Sequence, residues 1–132
     1  MNIVVGLGCD RGTPVATLET VLGKALSLVA CEHKDIYLFA TIDKKSDEVS
    51  INTLVKKHQK DIRYYSAAEL ARVEVPNPSA VVMKYMGTPA VSEAAAILGA
   101  ETDMSDLLVE KLKYRGEDGK NATVSIVEVT DR

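Results

Sequence analysis

The chain has 132 residues, enough for one ordinary domain whose core needs no disulfide or metal staple. Sixteen Lys and Arg against nineteen Asp and Glu give a net charge of −3, which argues against a general nucleic-acid binder. Hydrophobic residues at 46% and charged residues at 27% are the composition of a soluble globular protein. No apolar run reaches the ~18 residues of a membrane span. No basic segment precedes the first apolar stretch, so no signal peptide is expected and the reading is cytoplasmic. The two Cys and two His show no CxxC, HxxxH or HExxH spacing, so neither a metal site nor a cofactor is expected.

In chain order, Asn2 to Leu7 is a short apolar run ending toward glycine and predicts a buried strand. Gly8 to Gly12 follows as a tight polar loop. Thr13-Pro14 predicts a helix start, with Thr as N-cap and Pro first in the helix. Val15, Leu18, Leu22, Ala25, Leu26 and Val29 form its apolar stripe, which fades near Cys31. Cys9 and Cys31 then lie more than ~25 Å apart, beyond disulfide reach. Asp35 to Thr41 predicts a second strand, and Ile42 to Lys45 a loop. Ser46 is positioned to cap the next helix, with Asp47 and Glu48 in its first turn. Ile51, Leu54, Val55 and His58 lie on that helix. Ile62 to Tyr65 predicts a third strand, and Ser66 with Glu69 a capping box opening a helix through Arg72.

Val75 to Ser79 is a connector held rigid by two prolines. A helix is predicted from about Pro78 to Met86, stopping at Gly87. Thr88-Pro89 repeats the cap signature. Val91, Ala94, Ala95 and Leu98 form the next buried stripe, with Glu93 off it and Gly99 at its end. Leu107 to Tyr114 and Ala122 to Val129 read as a hairpin around Arg115 to Lys120. Strand–helix alternation predicts parallel pairing with right-handed crossovers. The fold class is therefore a three-layer α/β/α sandwich. Its sheet is mixed and mainly parallel, of about five strands, with a C-terminal antiparallel hairpin, and the whole chain is one domain.

Ligands of open α/β sheets collect at the carboxyl ends of parallel strands. Three loops fall there, carrying Cys9, Asp10, Arg11, Asp43, Lys44, Lys45, Asp47 and Glu48. Gly6, Gly8 and Gly12 miss the G-x-G-x-x-G spacing by one residue, and no Lys follows Gly12 as a P-loop requires. What survives is a helix N-terminus whose free N–H groups could hold an anion, against the plainer reading of a sharp turn. Cys9 lies where a thiolate could be stabilised, but no His is near in sequence, so it reads as a small half-buried loop residue. His58 reads as a core or boundary residue and His33 as an exposed loop residue. Glu93 reads first as a surface carboxylate at a helix start. Lys56, Lys57, Lys60 and Arg63 read as a solvated face.

Gly6 to Gly12, GLGCDRG, resembles the opening G-x-G-C-x-R-G of the C-terminal domain of CbiG, a cobalamin biosynthesis protein, and of its stand-alone relative CobE. Further segments are similar in the same order. They are Ile42 to Glu48, Tyr65 to Leu70, Pro76 to Ser79, Gly87 to Ala96, Leu107-Leu108 with Lys111, and Ala122 to Val124. Departures from the pattern are Asp10, Lys44, Glu110 and Ser125. The N-terminal part of CbiG has no counterpart among these segments.

The resemblance implies a corrin-ring (cobalt-precorrin) ligand and a place in opening a δ-lactone with acetaldehyde release. Glu93 or Asp43 would activate water against the lactone carbonyl. The implied ligand contacts are Gly6, Gly8, Cys9, Arg11, Gly12, Lys45, Asp47, Glu48, Ser79, Gly87, Thr88 and Lys111. Two alternatives stay open. One is a non-catalytic corrinoid carrier or accessory partner of other cobalamin-pathway enzymes. The other, resting on the glycine loop alone, is a small phosphometabolite binder.

Overall fold

A computed structural model of the chain describes residues 1–76 and 91–130. The predicted helix from Pro78 to Met86 and the Thr88-Pro89 cap lie outside the described residues, as does most of the connector from Val75 to Ser79. The first strand, β1 (Ile3–Cys9), is followed by α1 (Val15–Leu28), β2 (Ile36–Ile42), α2 (Val49–Lys57), β3 (Asp61–Tyr65) and α3 (Ala67–Ala71). Then come α4 (Val91–Gly99), β4 (Leu107–Arg115) and β5 (Asn121–Glu128), with single 3₁₀ turns at His33–Asp35, Asp43–Lys45 and Met104–Asp106.

The strands form one sheet in the order β3-β2-β1-β5-β4. β1 pairs in parallel with β2, and β2 with β3, while β5 is antiparallel to both β1 and β4. Four strands thus run one way and β5 alone runs against them. β1 is apolar throughout because both of its faces are covered. Ile3, Val5 and Leu7 enter one core with Leu18, Leu22 and Ala25 of α1 and Ile51 and Leu54 of α2. Val4 turns the other way, into a second core with Leu70 of α3 and Ala94, Ala95, Ala96 and Ile97 of α4. The expected three layers are the result.

Several local expectations are corrected. β1 runs two residues past Leu7, and Gly8 and Cys9 pair with Thr123 and Ala122 instead of opening a loop. Their backbone groups find partners in β5, which local sequence does not reveal. Thr13 does not cap α1. Its hydroxyl donates to the Asp10 carbonyl at 2.7 Å, and Pro14 holds the cap position without a side-chain bond. Ser46 does not cap α2, since it closes the 3₁₀ turn at Asp43–Lys45. Glu48 takes the α2 cap position, so Asp47 and Glu48 precede the helix instead of filling its first turn. The Ser66–Glu69 capping box is present as predicted.

α4 differs most. Ser92 through Ile97 are all buried, with Val91 and Leu98 half-buried, so a burial stripe gives way to a helix enclosed nearly all round. Glu93 lies on the inside with 0% exposure. Close approach makes this possible. A Cβ on Gly6 would sit 1.9 Å from the Ser92 carbonyl oxygen, and one on Gly99 would sit 2.9 Å from Val4 Cγ1. The helix does end at Gly99, but the left-handed closing residue is Glu101 (φ 55°), whose N–H bonds to the Leu98 carbonyl.

Candidate functional site

The turn after β1 is tied at its base. The Asp10 N–H donates to the Asn121 carbonyl at 2.9 Å, and Asp10 Oδ2 accepts from the Asn121 N–H at 2.7 Å. Gly12 takes φ 80°, which only glycine adopts without strain. From this turn Arg11 reaches the segment between β2 and α2. Its guanidinium meets Asp47 at 2.9 Å and Glu48 at 3.3 Å, and it donates to the Lys44 carbonyl at 2.9 Å. Glu48, 4% exposed, also accepts from the Gly12 N–H at 3.2 Å and lies 3.9 Å from the buried Lys45 ammonium.

Two cations and two carboxylates therefore neutralise one another. One backbone N–H of the turn before α1, that of Gly12, is met by a carboxylate of the chain itself. The Arg11 hydrogen bond holds the Asp47 carboxyl below its ordinary range. Beneath this cluster, burial pushes the half-buried Cys9 thiol up. Lys45 pulls it down and Glu48 works against that pull. Such a thiol is a poor nucleophile at neutral pH.

The second group lies on the other side of the sheet. Glu93, in the first turn of α4, packs on the face opposite that of Cys9. Among the described residues, neither of its carboxylate oxygens has a partner at hydrogen-bond distance. Lys111 of β4, about one-third exposed, brings its ammonium to 3.8 Å. Burial pushes the Glu93 carboxyl above the ordinary carboxylate range, Lys111 opposing and Glu110 adding to the push. Beside the pair, the buried Ser92 and Ser125 hydroxyls lie 2.9 Å apart, and Ser125 donates to the Glu110 carbonyl.

The structure thus gathers Cys9, Arg11, Gly12, Lys45, Asp47 and Glu48 at one place, and Glu93 with Lys111 at another. Asp43 is exposed in the 3₁₀ turn after β2. Gly6 and Gly8 serve close packing, against the Ser92 carbonyl and the Thr123 hydroxyl. Ser79, Gly87 and Thr88 lie outside the described residues. Sequence reading missed the burial of Glu93 and the contact between Ser92 and Ser125. The one available signal was Ser125 itself, a hydroxyl inside an otherwise apolar strand.

Fold and strand-end chemistry define the class: a small α/β/α sandwich domain with charged loops at the carboxyl ends of its parallel strands. The chain belongs to the Cobalamin synthesis G C-terminus family, whose model matches residues 3–127. It is a cobalamin biosynthesis protein of the CbiG C-terminal and CobE type. It is 34% identical over 124 residues to a cobalt-precorrin-5A hydrolase of Priestia megaterium, covering 94% of this chain and 31% of that protein. It is 31% identical over 113 residues to Protein CobE of a Sinorhizobium species, covering 84% and 73%. The chain therefore spans about a third of the length of the hydrolase that it matches. The solved structure of CobE, from the cobalamin biosynthetic pathway, superposes with a TM-score of 0.78 at 27% identity, covering 99% of this chain and 93% of that one. A cobalamin biosynthesis protein G homologue from Sulfolobus solfataricus shares the fold, with a TM-score of 0.68 at 15% identity over 97% of this chain and 37% of that one. Among the described residues, no helix is long and apolar enough to cross a membrane.

Proposed function

We propose that this domain binds a cobalt-precorrin and takes part in opening its δ-lactone, with Glu93 as general base. The observation that carries this reading is the Glu93 carboxylate: fully buried, without a hydrogen bond among the described residues, and facing the Lys111 ammonium. A carboxyl group raised by burial is a stronger base than an ordinary carboxylate. Asp43, being exposed, lacks that environment. Glu93 has no exposed surface in the structure, so the proposed step requires the bound macrocycle to open a path to it. Glu93 then takes a proton from water as the water oxygen adds to the lactone carbonyl carbon. Lys111 faces the negative oxygen that forms. The carbon–oxygen bond of the ring then breaks, and Glu93 returns its proton to the departing alkoxide. A carboxylate and a hydroxyethyl arm result. The arm leaves as acetaldehyde when its hydroxyl proton passes to water, its carbon–oxygen double bond forms, and the electron pair of its bond to the macrocycle passes into the conjugated ring. Arg11, 58% exposed, stays in the proposed contact set, but it would have to exchange Asp47 or Glu48 for an acetate or propionate of the macrocycle and would meet it away from Glu93. Ser79, Gly87 and Thr88 belong to the proposed contact set through family resemblance.

The test is direct. Purified protein is incubated with a cobalt-precorrin lactone, acetaldehyde is assayed, and binding is followed by visible absorbance. Glu93→Gln should keep binding and lower turnover by about 10²–10⁴-fold. The full burial of Glu93, with no exposed surface to reach a substrate, favours a second reading as a corrinoid carrier or accessory partner of pathway enzymes. Tight binding without acetaldehyde from the wild-type protein would select it.

A further inference from the structure

Glu19 on α1, His33 in the 3₁₀ turn after it and His58 at the end of α2 meet at one corner of the α1/α2 layer. His58 Nε2 lies 2.8 Å from Glu19 Oε1. The His33 and His58 rings stack, with centroids 4.4 Å apart and planes 9° from parallel. One donor atom from each residue falls within 4.8 Å of the other two. His33 is exposed, while the other two are half-buried. Two imidazoles and a carboxylate, brought from three separate elements, form a donor set suited to first-row transition ions. We infer that Glu19, His33 and His58 form a binding site for a divalent ion of the zinc class.

The geometry also says what must move. Ring lone pairs lie in the ring plane, so two nearly parallel imidazoles cannot both aim at an ion about 2.0–2.1 Å from each nitrogen. The His58 backbone is held at the end of α2, its N–H bonded to the Leu54 carbonyl at 3.1 Å. His33, exposed in a three-residue turn, is the ring that swings. Glu19 can exchange its His58 hydrogen bond for the ion at Oε1 and keep Lys57 on Oε2, 2.6 Å away. That second contact orients the ligand carboxylate. Three protein ligands leave one position for water, which makes the ion exchangeable. Mg²⁺ and Ca²⁺ prefer all-oxygen sites and are disfavoured.

The experiment uses the full chain without a histidine tag, freed of metal by a chelator. Zn²⁺ is titrated by calorimetry and Co²⁺ by visible absorbance, with Mg²⁺ as control. The expected result is one saturable equivalent of Zn²⁺ with a rise in Tm, and no response to Mg²⁺. His33→Ala, an exposed change that spares the core, and His58→Ala should each weaken binding at least tenfold with unchanged circular dichroism. Absence of saturable Zn²⁺ binding would overturn the site. So would binding that survives the double His variant, including binding that is then lost when Cys9 and Cys31 are alkylated.

Discussion

Glu93 is the residue at which burial and chemistry conflict. An ionised carboxylate is costly inside a protein, and the Lys111 ammonium at 3.8 Å offsets only part of that cost. The folded state therefore holds the Glu93 proton more tightly than the unfolded chain, whose ordinary carboxyl value is 4.5. The stability contributed by that proton is fully present below 4.5 and is lost as pH rises through the higher folded value. Glu93→Gln keeps the shape and removes the charge. We expect it to melt higher than the wild type at pH 7, by on the order of 1 kcal/mol, with the difference vanishing near pH 4. Urea melts at both pH values check this. A variant less stable than the wild type at pH 7 would mean that Lys111 more than compensates the carboxylate. A gain in stability at the expense of turnover is the common signature of functional groups held in unfavourable surroundings.

At the scale of elements, α4 is placed by glycine. The Ser92 carbonyl oxygen occupies the space that a side chain on Gly6 would need, so Gly6→Ala must push α4 away from β1. We expect a loss at the upper end of about 1–3 kcal/mol, with Glu93 displaced from Lys111. Chemical denaturation and the backbone shifts of residues 92–96 measure it. Gly8→Ala should be milder, because its nearest contact is the movable Thr123 hydroxyl.

These elements also show what a sequence can disclose. The capping box at Ser66 is legible because both partners lie within four residues, and β1 and β2 are legible from apolar runs bounded by polar turns. Thr13 and Ser46 have the right residue type for caps, but the next turn of chain takes them elsewhere: Thr13 bonds back to Asp10, and Ser46 ends a 3₁₀ turn. α4 defeats periodicity because small residues on every side let it sink into the structure, so no polar face remains to mark Glu93 as inside or outside. The Arg11–Glu48 latch and the His33–His58 stack join positions 37 and 25 apart in the chain. Local pattern carries no record of such contacts.

For the whole molecule, the strand order makes the C-terminal hairpin central. β5 pairs with β1 along all seven residues from Ile3 to Cys9 and carries β4 on its other edge. Val124 and Ile126 enter one core and Val127 the other. Deletion of residues 103–132 would uncover one edge of β1 and both cores. We expect that variant to lose its cooperative thermal transition, as read by calorimetry. A sharp transition near the wild-type Tm would show that β1, β2 and β3 with their helices suffice.

Because β5 is the last of these strands to be made, the ribosome has produced almost all of the domain before its sheet can close. Until then the nascent chain carries β1 with one row of amides and carbonyls unmatched, an edge able to pair with a neighbouring polypeptide. Slow translation through the final hairpin would lengthen that exposure, and chaperone dependence during synthesis should exceed that of the finished protein on refolding.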